Sequence, residues 1–214
     1  MWIATQSRPD LVFDVCQLSI ASRGSKVDDL LEANKLVRRL KEGKYALFYS
    51  SLEDLSCLAM ESLSDASFAN LNDGGSQGGY VILLSDGRGS RCLLSWRSCK
   101  IKRVVKSTIA AETLALLDRA EAAVLLAHMI AKFLECEAPP IVKCFVDNRS
   151  LVDAIYSTKL VEDKILRINM AVLRDMIDRG AIHSVSWVQS SMQLADVLTK
   201  KGANAQSLIA AISR

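Results

Sequence analysis

CLAMESLSDASFANLNDGGSQGGYVILLSDGRGSRCLLSW, residues 57–96, holds three short apolar runs, Cys57 to Leu63, Tyr80 to Leu84 and Cys92 to Trp96, cut apart by Gly, Asp and Ser. Runs of this length between turn-forming residues read as three strands in meander order. The period then changes. Residues 107–135 place Leu116, Ala120, Ala123, Ala127 and Ile130 at steps of three and four, the spacing of a long helix, and Pro139-Pro140 closes it ahead of a strand from Ile141 to Val146. A short helix from Ser150 to Tyr156, a longer one from Glu162 to Arg179 stopped at Gly180, a strand from His183 to Val188 and a last helix from Leu194 to Ile212 follow. A hairpin meander followed by alternating helices and strands predicts an α/β fold: a mixed five-stranded sheet with helices on both faces.

Upstream, residues 8–43 have Leu11, Val15 and Leu18 at helical spacing, a break at Gly24, then Leu30, Leu31, Ala33, Leu36, Val37 and Leu40 up to Gly43. This predicts a small N-terminal helical segment. The glycine-rich stretch Asp73-Gly74-Gly75-Ser76-Gln77-Gly78-Gly79 lacks a following Lys-Ser/Thr and leads into a strand rather than a helix, so it reads as a hairpin connection and not a phosphate loop.

With 214 residues and 50% hydrophobic content the chain is long enough for one sizeable core and an appended segment. Its six cysteines form no Cys-x-x-Cys pair and its two histidines, His128 and His183, stand far apart, which argues against structural zinc. Residues 1–10 carry no apolar run of the signal-peptide kind, and the most apolar stretch, residues 122–131, is too short for a bilayer. The expectation is an intracellular protein with reduced cysteines and no membrane partner. Net charge is only +3, but Arg88, Arg91, Arg97, Lys100, Lys102, Arg103 and Lys106 follow one another with no acid between them. Such a run suits either a polyanion or a strand edge kept soluble.

Four acids stand where acids are costly. Asp65 shares a strand face with Ala59 and Leu63; Glu112 lies on the apolar stripe of the long helix; Asp147 follows the strand 141–146 at its carboxyl end, where α/β sheets place ligands; Asp196 opens the last helix. Each has an ordinary alternative as a turn former, a helix cap or a partner of the helix dipole. Brought together, they need compensation, since two like charges at about 4 Å repel by roughly 4 kcal/mol at an effective dielectric near 20. All-oxygen ligands with little histidine select Mg²⁺ or Mn²⁺.

On these residues the sequence resembles the ribonuclease H domain that ends the pol polyprotein of copia-type retrotransposons. The resemblance is carried in order by Ser64-Asp65-Ala66, Gly79-Tyr80, Ser95-Trp96-Arg97-Ser98, Ser107-Thr108 with Ala111-Glu112, Asp147-Asn148-Arg149-Ser150, and Ala195-Asp196 with Thr199-Lys200. Residues 7–19, from Ser7-Arg8-Pro9-Asp10-Leu11 to Gln17-Leu18-Ser19, are similar to the segment joining a reverse transcriptase to its ribonuclease H, which implies a connection remnant over 1–45 and a ribonuclease H-like domain over 46–214. The resemblance implies an endonuclease that hydrolyses the RNA strand of RNA/DNA hybrids and leaves a 5′ phosphate and a 3′ hydroxyl. It further implies that Asp65, Glu112, Asp147 and Asp196 bind two Mg²⁺ ions, with Mn²⁺ as substitute and no small-molecule cofactor. One ion would lower the pKa of the attacking water and the other would stabilise the leaving oxygen. Arg97, Lys100, Lys102, Arg103, Lys106 and Asn148 would contact nucleic acid, for affinity rather than sequence choice. A reverse transcriptase in cis or in trans is the implied partner, and a cytoplasmic retroelement particle or the nucleus the implied location.

The chain departs from the family pattern in places. The loop Ser190-Ser191-Met192-Gln193 lacks the histidine that cellular relatives often carry, and Ser67 and Phe68 stand where many relatives have Asp and Trp. Paired polymerase aspartates are missing, Asp28-Asp29 reading as a helix start. The alternative to an active nuclease is an inactive, retroelement-derived binding or structural module.

Overall fold

The computed structural model describes residues 1–21, 24–43, 45–159 and 161–213; positions 22 and 23 of the expected helical stretch lie outside them. In chain order come α1 (Trp2–Gln6), a 3-10 turn Pro9–Leu11, α2 (Val12–Ala21), α3 (Val27–Glu42), β1 (Ala59–Ser67), β2 (Gln77–Ser85), β3 (Arg91–Lys100), α4 (Thr108–Phe133), β4 (Ile141–Val146), α5 (Arg149–Tyr156), α6 (Lys164–Asp178), β5 (Ser184–Trp187), 3-10 turns Ser190–Met192 and Asp196–Leu198, and α7 (Gln206–Ile212).

The five strands form one sheet in the order β3-β2-β1-β4-β5. The β1–β2 and β2–β3 pairs are antiparallel and the β1–β4 and β4–β5 pairs parallel, so the sheet is mixed and five-stranded, as expected. Alternation sorts the side chains of the central strands. Met60, Tyr80, Ile82 and Leu84 face a core built with Leu116, Ala120, Ala123 and Ala127 of α4 and with Leu166, Met170 and Leu173 of α6. Leu63, Val81 and Leu83 face the other way, into a second core with Ala4, Leu11 and Val12, the loop residues Leu194, Ala195, Val197 and Leu198, and Leu208 and Ile212. Because β2 is covered on both faces, every one of its residues is buried.

The N-terminal helices are thus packed onto the sheet. Arg8, itself buried, donates to the carbonyls of Leu40 (3.1 Å) and Gly43 (3.4 Å) at the end of α3, and its guanidinium is held by both oxygens of Asp10 at 2.9 and 2.8 Å. Orphan carbonyls at a helix C-terminus favour such a cation. This gives the Arg8-Pro9-Asp10 stretch a structural role.

Two sequence expectations are corrected. β1 runs on to Ser67, beyond the apolar run that ends at Leu63, so Asp65 sits inside the strand. The last helix is not continuous from 194 to 212: it is a 3-10 turn at Asp196–Leu198, a break through Gly202 at φ 72°, and the short α7. Gly202 occupies the left-handed region that side chains disfavour, which ends the helical pattern.

Candidate active site

Asp65 lies on β1, the central strand of the sheet, where it pairs with β2 two residues beyond the last β4 pair at Leu63, and is only 3% exposed. Opposite it in β2 stands Gly79. A Cβ there would lie 2.7 Å from Leu198 Cβ and 2.9 Å from Thr199 Cγ2, so the glycine is what allows the Asp196–Leu198 turn to press against the sheet. That approach lets Thr199 Oγ1 donate to Asp65 Oδ2.

Glu112 lies near the start of α4, whose N-cap, Ser107, accepts from the Ala110 amide at 3.3 Å. Glu112 is only 7% exposed, so its carboxylate is buried rather than solvated. Asp147 follows the last residue of β4; its Oδ2 accepts from Ser190 Oγ at 3.1 Å. Asn148 accepts the Leu151 amide at 3.1 Å as the N-cap of α5, and its side chain also hydrogen-bonds Glu112.

Asp196 is carried by the turn rather than by regular structure. Gln193, buried, donates to Ser64 O at 3.0 Å and accepts the Ala195 amide at 3.3 Å, which fastens the turn to β1. Asn70 reaches Thr199 O at 2.9 Å, and Ser98 donates to Leu198 O at 2.5 Å. Lys200, one helical turn beyond Asp196, directs its ammonium to Asp196 Oδ1 and lies 3.7 Å from Asp65 Oδ2.

The electrostatics tie the four acids together. Burial raises the pKa of Glu112 to about 7; the Asn148 hydrogen bond pulls it down, the charges of Asp65 and Asp147 push it up, and Lys200 opposes them. Burial also raises Asp65, against the Thr199 hydrogen bond and Lys200, while Asp147 and Asp196 add to the rise. For Lys200 burial lowers the pKa, but its hydrogen bond to Asp196 and the charges of Asp65, Asp196 and Asp147 outweigh it and leave it raised. One ammonium thus compensates a cluster of four carboxylates.

Among the described residues no three His, Cys, Asp or Glu side chains already close on a common point as an ion site. The donor set nevertheless fits a hard divalent cation: all its ligating atoms are carboxylate oxygens, mutually repelling and under-compensated by one lysine. A cleft of about 670 Å³ between α2, α3 and residues 67–73 opens beside Lys200 and is lined by none of the four acids.

Of the basic residues named from sequence, Arg97 is exposed on β3 and Lys102, Arg103 and Lys106 are exposed on the loop leading to α4. Lys100 is engaged by Asp73 across the hairpin. Sequence reasoning assigned no role to Thr199, Lys200, Ser190 or Gln193. Lys200 carried a usable signal, four residues after Asp196 where an acid and a base pair along a helical turn; Ser190 and Gln193 carried none. Among the described residues no helix is long and apolar enough to cross a membrane.

No family model matches the sequence, and no curated protein matches it. Several solved structures align with part of the chain. The type 1 ribonuclease H of the archaeon Halobacterium salinarum is 17% identical at a TM-score of 0.47, over 66% of this chain and 94% of that one. A compost-derived type 1 ribonuclease H crystallised with an RNA/DNA hybrid is 19% identical at a TM-score of 0.47, over 65% and 93%. The protease-reverse transcriptase of prototype foamy virus is 13% identical at 0.42, over 74% of this chain and 22% of that one. At such values these likenesses concern architecture alone.

Proposed function

We propose that this chain is a divalent-cation-dependent endonuclease that hydrolyses the RNA strand of RNA/DNA hybrids, derived from a copia-type retrotransposon pol polyprotein. The observation that carries this proposal is the electrostatic convergence of Asp65, Glu112, Asp147 and Asp196 from β1, α4, β4 and the turn after β5. Four acids gathered from four parts of the chain, two of them buried, weaken the fold unless they serve a ligand.

Asp65, Glu112, Asp147 and Asp196 would hold two Mg²⁺ ions, with Mn²⁺ able to replace them; bound there, the cations supply Lewis acidity to the attacking water and the leaving 3′ oxygen. Asn148 orients Glu112, Ser190 orients Asp147 and Thr199 orients Asp65 for that purpose. Hydrolysis breaks the bond between phosphorus and the 3′ oxygen, forms one between phosphorus and the water oxygen, and returns a 5′ phosphate and a 3′ hydroxyl. Arg97, Lys102, Arg103 and Lys106, exposed on one side of the acids, would track the backbone, with Lys100 joining them once freed from Asp73. The 1–45 and 46–214 division, a reverse transcriptase partner and a place in a cytoplasmic particle or the nucleus belong to the same proposal.

One observation favours an inactive descendant instead: Lys200 sits among the acids, its ammonium on Asp196 and 3.7 Å from Asp65. Cleavage of a labelled RNA/DNA hybrid by wild type and Asp147→Asn, in Mg²⁺ or Mn²⁺ and beside single-stranded RNA and duplex DNA, decides between them. Hybrid-only cutting that the substitution abolishes is the expected result. A folded wild type that binds the hybrid and leaves it intact favours the inactive descendant or a need for the reverse transcriptase partner.

A further inference from the structure

Asp147 has a second neighbour that the nuclease chemistry does not use. Trp187, the last residue of β5, is 47% exposed, yet its indole is fixed: Nε1 donates to the Asp147 carbonyl at 3.0 Å. The guanidinium of Arg149 lies over the ring at 5.9 Å from its centroid. Arg149 is exposed, forms no ion pair among the described residues, and is the first residue of α5. A cation there opposes the positive end of the helix dipole, and a half-exposed indole forgoes burial. The hydrogen bond and the ring contact fix the pair in place without burying it.

We infer that Trp187 and Arg149 form a shelf that takes the sugar-phosphate backbone of a nucleic-acid strand beside Asp147. Arg149 supplies the phosphate contact, and the flat face of Trp187 supports a sugar or base. Position supports this assignment. Arg97 lies on β3 at one edge of the sheet and Trp187 on β5 at the other, with β1 and β4, which carry or precede Asp65 and Asp147, between them. A strand laid across the acids meets the basic run on one side and the shelf on the other. The inference rests on the nuclease proposal for its ligand, though not for its test.

The test is binding of a fluorescently labelled RNA/DNA hybrid, followed by anisotropy in Ca²⁺ and across a salt series, for wild type, Trp187→Ala, Trp187→Phe and Arg149→Ala. Loss of one stacked contact is expected to raise the Kd of Trp187→Ala about tenfold, with Trp187→Phe retaining most of the affinity. Arg149→Ala is expected to weaken binding and to reduce the salt slope by about one, while its thermal stability does not fall. In turnover assays the losses appear in KM more than in kcat. Wild-type affinity and salt slope in both alanine variants would overturn the shelf and leave the nuclease standing. A wild type that binds but does not cut, with weakened variants, supports the shelf and removes the nuclease. Should Trp187→Ala fail to fold, the salt slope of Arg149→Ala decides alone, and a wild type with no affinity for the hybrid overturns the shelf outright.

Discussion

Three of the four acids and the fourth are held by different physics. Asp65, Glu112 and Asp147 sit on or directly beside β1, α4 and β4, whose positions follow from backbone ladders and a shared core. Asp196 rides on a 3-10 turn fixed by side chains: Gln193 to β1, Ser98 to Leu198, Asn70 to Thr199 and Thr199 to Asp65. The first kind of placement tolerates most single substitutions, because many bonds share it. The second depends on each link, and the site is only as exact as that turn.

The largest test of this contrast is Gly79→Ala. Its Cβ would strike Leu198 at 2.7 Å and Thr199 at 2.9 Å, displacing the turn while the strand survives. Hybrid cleavage should fall about 100-fold for a displacement near 1 Å, with circular dichroism unchanged and stability lowered by about 1–3 kcal/mol in urea. Collapse of the whole sheet would contradict the contrast.

Glu112→Gln probes the opposite side of it. A carboxyl raised from its usual 4.5 to about 7 binds a proton more tightly when folded, so its contribution is complete at low pH and is lost as pH climbs through that window. Metal-free wild type should therefore lose stability between pH 4.5 and 7, and the variant should lose less; parallel melting curves across that range would refute it.

Gln193→Ala removes the tie between the turn and β1 and leaves the buried Ser64 carbonyl without that donor. A loss of about 1–3 kcal/mol is expected, with a disproportionate fall in cation affinity measured by calorimetry. The smallest effect belongs to Ser107→Ala, which deletes the N-cap of α4. About 1 kcal/mol of stability should go, and cleavage at saturating cation should match wild type, because the helix stays anchored by its core face.

Legibility in the sequence followed the same division. The meander, the long helix and the strand 141–146 announced themselves through period and punctuation, and β4 has the boundaries expected of it. Asp65 and Glu112 stood out because an acid on an apolar face is improbable, and both are buried. The region after β5 was misread as one helix because Leu194, Val197, Leu198, Leu208 and Ile212 keep a helical rhythm. Tertiary hydrogen bonds from Gln193, Ser98 and Asn70 shape that segment instead, and no local pattern encodes a partner more than 90 residues away. Trp187 and Arg149 were likewise silent, since their meaning lies in their shared proximity to Asp147.

The second core joins Ala4, Leu11 and Val12 to Leu194, Val197, Leu208 and Ile212 across the sheet. Contacts of such long sequence separation form late, whereas those between α4 and its neighbouring strands involve shorter loops. The turn bearing Asp196 belongs to that second core, so the complete acid cluster depends on residues 194–212 docking against α1 and the stretch from Leu11 to Val12.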